Sequence, residues 1–104
     1  MNSVEKARIK LRAMLLELFD GSLYYQPPGG SSLKYPCIIY ERSSILNQYA
    51  NDAVYNQRYK FTITLIDQKI NTSVLDNISR LPMCSYDRHF ASGNLNHDVF
   101  TIYI

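Results

Sequence analysis

Four side chains late in the chain are of types that hold metals or move protons: Cys84, Asp87, His89 and His97. Zinc takes such ligands tetrahedrally, and its sites usually show paired ligands a few residues apart. The spacing here matches no paired-ligand motif. If Cys84 to Phe90 is a strand, Asp87 and His89 share one face and Cys84 lies on the other, so convergence of the set requires a bulge near Cys84. The same residues contain the elements of a nucleophile and base, because a Cys84 thiol with His89 or His97 needs only proximity in space. A reactive thiolate also needs an electropositive setting. Arg88 and His89 are near Cys84 in sequence, whereas Cys37 lies within an apolar run. His97-Asp98 reads as a turn-to-strand junction with a local hydrogen bond. The expectation is a protein without metal, cofactor or enzymatic activity.

Two other segments bear on binding. Pro27-Pro28-Gly29-Gly30-Ser31-Ser32 is glycine-rich but has no lysine followed by Ser or Thr and no helix pattern after it, so it reads as a solvent loop and not a phosphate cradle. Arg58 and Lys60 alternate with the apolar residues of a long strand. They can meet phosphates or acidic partner groups, and they also read as a solvated face that discourages unwanted edge pairing.

Composition narrows the classes. A net charge of +2 over 104 residues is far from the basic balance of a sequence-reading nucleic-acid protein. No apolar run approaches the length of a membrane span, and the charged, amphipathic N-terminus lacks the features of a secretory signal. The sequons Asn71-Thr72-Ser73 and Asn77-Ile78-Ser79 are therefore read as coincidental. Two cysteines without paired spacing point to buried thiols in a reducing compartment. Nine tyrosines and no tryptophan suit half-buried strand faces, and also interfaces, where the ring packs while the hydroxyl finds a partner.

The elements that must position these residues follow from periodicity. Ser3 is the expected N-cap of a helix whose apolar positions Val4, Ala7, Leu11, Met14, Leu15 and Leu18 recur at three- and four-residue steps. Ile9, Leu16 and Phe19 broaden that stripe toward a core-packed helix, and Gly21 is the expected stop. Tyr35 to Arg42 forms a strand with Cys37 and Ile39 on one face and Ile38 and Tyr40 on the other. The polar stretch Ser43 to Asp52 connects it to a long strand in which Tyr59, Phe61, Ile63 and Leu65 face the core and Arg58, Lys60, Thr62 and Thr64 face water. Ser73 opens a short helix with apolar positions Val74, Leu75, Ile78 and Leu81, ended by Pro82. Strands from Cys84 to Phe90 and from Asp98 to Ile104 close the chain. This order predicts a single α+β domain over residues 1–104, with a mainly antiparallel sheet of four to five strands and both helices on one face.

Three blocks, Tyr35-Pro36-Cys37-Ile38-Ile39-Tyr40-Glu41, Tyr59-Lys60-Phe61-Thr62-Ile63-Thr64-Leu65-Ile66-Asp67 and Leu81-Pro82-Met83-Cys84 with Asp87-Arg88 and Asn94-Leu95-Asn96-His97-Asp98, resemble small tail-assembly proteins of long-tailed bacteriophages. Within that group the chain is most similar to the tail terminator or tail completion proteins, over roughly residues 35 to 104. Where that family commonly reads Ala-Asp-Asn, this chain has Ala50-Asn51-Asp52. The resemblance implies a virion protein, assembled in the host cytoplasm. It would form a ring, commonly hexameric, at the head-proximal end of the tail, where it caps the tube and stops its polymerisation. Its implied partners are further copies of itself, the tail tube protein and a head–tail connector or neck protein, with non-specific contact to DNA passing through the lumen and no membrane. On this reading Tyr49, Asn51, Asp52, Tyr55, Arg58 and Lys60 are the candidate ring and tube contacts. The alternatives are a head-side neck protein and a small cytoplasmic thiol enzyme.

Overall fold

The computed structural model describes residues 2–69 and 72–104, so the first residue of the sequon at Asn71 lies outside the described residues. Helix α1 spans Ser3–Leu18. Its N-cap is Asn2, one residue before the expected Ser3, and the Asn2 Oδ1 accepts a 2.8 Å hydrogen bond from the Glu5 amide. That bond satisfies one of the amides a helix start leaves without a partner. Ala7, Leu11 and Leu15 are buried one turn apart. Ile9 and Leu16, expected to widen this stripe, are instead 43% and 52% exposed. At 3.6 residues per turn they fall about 140–160° round the helix from Leu11, too far to reach the same core. Gly21 does not act as a helix cap. The helix ends in extended backbone at Phe19, and a Cβ at Gly21 would lie 2.3 Å from the Phe19 ring and 2.8 Å from the Pro36 carbonyl oxygen, so close packing demands the glycine.

Strands β1 (Ser22–Tyr25), β2 (Cys37–Ala50), β3 (Ala53–Asp67), β4 (Cys84–Ser92) and β5 (Leu95–Tyr103) form one mixed sheet in the order β1-β2-β3-β5-β4. Among the described residues only β1 and β2 pair in parallel, and the other three pairings are antiparallel. Helix α2 (Thr72–Ser79) lies between β3 and β4 in the chain and contacts both α1 and β4. Its exposed flank carries an Asp76–Arg80 ion pair of 2.9 Å.

The ladder register sorts the side chains by face. Tyr40 opposes Ile63, which opposes Phe100, while Ile38 opposes Leu65 and Phe61 opposes Ile102. These residues join Leu11, Leu15 and Ile78 in one buried cluster, which places both helices on the same face of the sheet. The expected α+β class and this two-layer packing are therefore present. The opposite face presents Lys60, Thr62 and Thr64, flanked by Ile39, Val99 and Thr101.

The largest departure from expectation is at residues 43–52. This polar stretch is not a connection but the continuation of β2, paired with β3 as far as Ala50↔Ala53. A bulge between Arg42 and Ser44 resets the alternation, and Asn and Gln occupy positions where apolar residues would have revealed the period.

Candidate functional site

The bulge that a convergent Cys84, Asp87, His89 and His97 set would need does occur, at Asp87, but it does not assemble them. Between Tyr86 and Arg88 the register shifts, so that Cys84 opposes Ile102 and His89 opposes Asp98 on the helix side. Asp87 and His89 therefore do not share a face as the unbroken strand predicted. His97 lies on the other face, opposite Ile66 and Phe90. Among the described residues no three His, Cys, Asp or Glu side chains come together as a metal-holding group.

The thiols are poorly placed for nucleophilic chemistry. Burial, with a smaller push from Asp67, raises the Cys37 thiol to about 11, and burial raises Cys84 to about 11 as well. Both remain protonated at neutral pH, the inert form of the group. His97 and Asp98 are not a turn junction either. They lie inside β5, side by side and on opposite faces. Asp98 is 5% exposed, and its Oδ1 accepts a 2.9 Å hydrogen bond from the Tyr86 hydroxyl. Partial desolvation and, after it, the hydrogen bond to Asp98 and its charge raise the Tyr86 pKa. His97 stacks on Phe90 with ring centroids 4.5 Å apart, and its buried Nδ1 has no hydrogen-bond partner among the described residues.

The six candidate contact residues, by contrast, lie on a single structure. β5 stops pairing with β3 at Lys60↔Tyr103, and the Ile104 backbone adds one last pair of hydrogen bonds to Tyr59. Beyond that point β2 and β3 continue alone as a two-stranded arm that ends at Asn51-Asp52. The seven residues of β3 from Ala53 to Tyr59 correspond to roughly 23 Å of extended chain. The molecule measures 51 × 27 × 24 Å, with a radius of gyration of 14.8 Å against roughly 13 Å for a compact chain of this length.

The arm is built from local rules. Asn51 and Asp52 have φ of 52° and 61°, the left-handed values that both central residues of a type I′ hairpin require and that Asn and Asp tolerate best after glycine. Asn56 donates to the Gln48 side chain at 2.9 Å and Gln57 to Asn47 at 3.0 Å, while the Tyr59 hydroxyl donates to Gln57 at 2.9 Å. A second bulge between Gln48 and Tyr49 leaves Tyr55 outside the ladder pairing. Tyr49 and Tyr55 are 64% and 70% exposed, and Ile45, Leu46 and Val54 are also open to solvent. Asn51 and Asp52 thus have a turn-forming role that the sequence reading did not assign. Ile45 and Leu46 are arm residues that it missed because they lay in what read as a connecting stretch, and Val54 lay between that stretch and the residues assigned to the long strand. Arg58 and Lys60 lie at the arm base, opposite Leu46 and Ser44, and neither forms an ion pair among the described residues.

Two-stranded hairpins are at best marginally stable alone in water, and an apolar ribbon with free edges is a template for pairing with another chain. The arm therefore has the physical character of an association element. Compared with protein-family models and with curated proteins, the chain matches none.

Proposed function

We propose that this protein is a structural subunit of a bacteriophage virion, a tail terminator that closes into a ring on the end of the tail tube, halts tube growth and offers a surface for head joining. The observation that carries the reading is the arm. It exposes Ile45, Leu46, Tyr49, Val54 and Tyr55 on a ribbon that joins the helix-covered core only through Tyr59 at its base. Exposed apolar surface of this kind marks interaction sites, and aromatic side chains are enriched in interface cores. A ring of identical subunits needs two different complementary patches on each copy. An arm projecting from a compact body supplies one patch on the projection and another on the body. The similarity of residues 35 to 104 to tail-assembly proteins points the same way. Arg58 and Lys60, without ion pairs among the described residues, suit contact with acidic groups on a neighbouring subunit or tube, or with DNA phosphates met without base recognition.

An early stop codon in this gene, within the phage genome that the proposal requires, tests it by negative-stain microscopy of the lysate. Overlong or irregular tubes beside unattached heads are the expected result. Tails of normal length beside heads that leak DNA would move the role to a neck protein on the head side. Normal virions would overturn both structural roles.

A further inference from the structure

We infer that the tip of the arm docks into the base of the arm on a second copy of this chain, with Asp52 meeting Arg58. The two ends of the arm are chemically unlike. From Asn47 to Gln57 the only charged residue is Asp52, which forms no ion pair among the described residues. Around it stand the exposed Tyr49, Val54 and Tyr55. The tip is thus an aromatic knob bearing one carboxylate.

The base is its complement. A cleft of about 320 Å³ is bounded by Leu46, Gln48, Asn56, Arg58, Met83 and Tyr103. It adjoins a smaller cavity of about 140 Å³ that shares Arg58, Met83 and Tyr103 and reaches Lys10. No Asp or Glu side chain lines either space among the described residues, and Arg58 has no side-chain ion-pair partner among them. Met83, an exposed and polarizable side chain, gives the cleft a wall that adapts to an aromatic ring. A cationic, apolar cleft facing an anionic, aromatic knob is the charge pattern that fixes register between partners.

The knob cannot serve its own cleft. Asp52 and Arg58 are six residues apart on extended chain, roughly 20 Å, and the amide pairs of Gln48 with Asn56 and Asn47 with Gln57 hold the ribbon straight between them. The occupant must therefore come from another molecule. One tip in one base leaves the pair with one free tip and one free base on different copies, the head-to-tail arrangement from which rings are built. The contact rests on the reading of the chain as a self-assembling subunit and adds the residues that join one copy to the next.

A benzophenone amino acid in place of Tyr55 in the full chain tests this, with irradiation at high protein concentration and mass-spectrometric mapping of the dimer. Cross-links should fall on Met83, Leu46 or Tyr103 of the second copy. Asp52→Gly keeps the turn, because Asn-Gly is the preferred type I′ pair, yet removes the charge. It and Arg58→Glu should each lower the cross-link yield roughly tenfold, the effect of losing about 1.4 kcal/mol. Mixing Asp52→Lys protein with Arg58→Glu protein should restore the yield, since each tip then faces an opposite charge. A dimer joined elsewhere on the second copy would overturn this contact and leave the assembly reading intact. Failure to cross-link, or yields unmoved by both charge changes, would overturn it as well, and the tail-length experiment judges the assembly role separately.

Discussion

At the scale of single residues, the groups that looked most chemical are the ones the fold keeps quiet. Asp98 is a buried carboxylate whose hydrogen-bond partner is a phenol half open to water. Removing that partner with Tyr86→Phe leaves the carboxylate short of a donor. An expected loss of about 1–2 kcal/mol follows, at the low end for a buried charged group because water can enter from the exposed side. Denaturant unfolding measures it. The two thiols give a pH signature. Folded pKa values of about 11 lie above the ordinary thiol value of 9.0, so the native state holds its thiol protons longer than the unfolded chain does. Stability is fully present below pH 9 and falls as the pH rises from about 9 to 11. A Cys37→Ser, Cys84→Ser double variant, unfolded under reducing conditions, should show a shallower decline over that window. The bulge at Asp87, which decides that Cys84 and His89 share a face, was not legible in the sequence, because no residue type there demands one.

At the scale of elements, legibility tracked apolar periodicity. β3 alternates Tyr59, Phe61, Ile63 and Leu65 against Lys60, Thr62 and Thr64, and both its strand character and its faces were readable from that pattern. The distal half of β2 was not readable, since its inward and outward positions are alike in polarity and two bulges break the count. Its pairing is held instead by a type I′ turn and cross-strand amide bonds, each pair worth roughly 0.2–1 kcal/mol. Such a ribbon should be dispensable for the fold. Replacing residues 46–58 with Asn-Gly, which closes the hairpin at Ile45↔Tyr59, should leave circular dichroism and the melting temperature close to those of the full chain while abolishing self-association. A variant that fails to fold would mean that the arm belongs to the core after all.

At the scale of the whole molecule, stability and assembly should be separable, because the core and the arm beyond Tyr59 are built from different residues. Core substitutions report the first. Phe100 is fully buried between the sheet and the helices, and Phe100→Ala should cost about 3–5 kcal/mol. At roughly 4–8 °C per kcal/mol for a chain this size, that lowers the melting temperature by more than 10 °C. Reversals on the arm base report the second. Arg58 is exposed and Lys60 partly so, and neither has an ion pair to lose among the described residues. Arg58→Glu and Lys60→Glu should therefore move stability by no more than about 0.5 kcal/mol, the usual range for surface changes. In the proposed role they should nonetheless impair assembly, because the partner surface would then face a charge of the wrong sign. Melting curves of the purified variants, set beside complementation of the stop-codon phage, separate the two properties. Stable variants that fail to complement place the charges at a contact. If both reversals complement fully, Arg58 and Lys60 are a solvated strand face, and the contacts of the ring must be sought elsewhere on the arm.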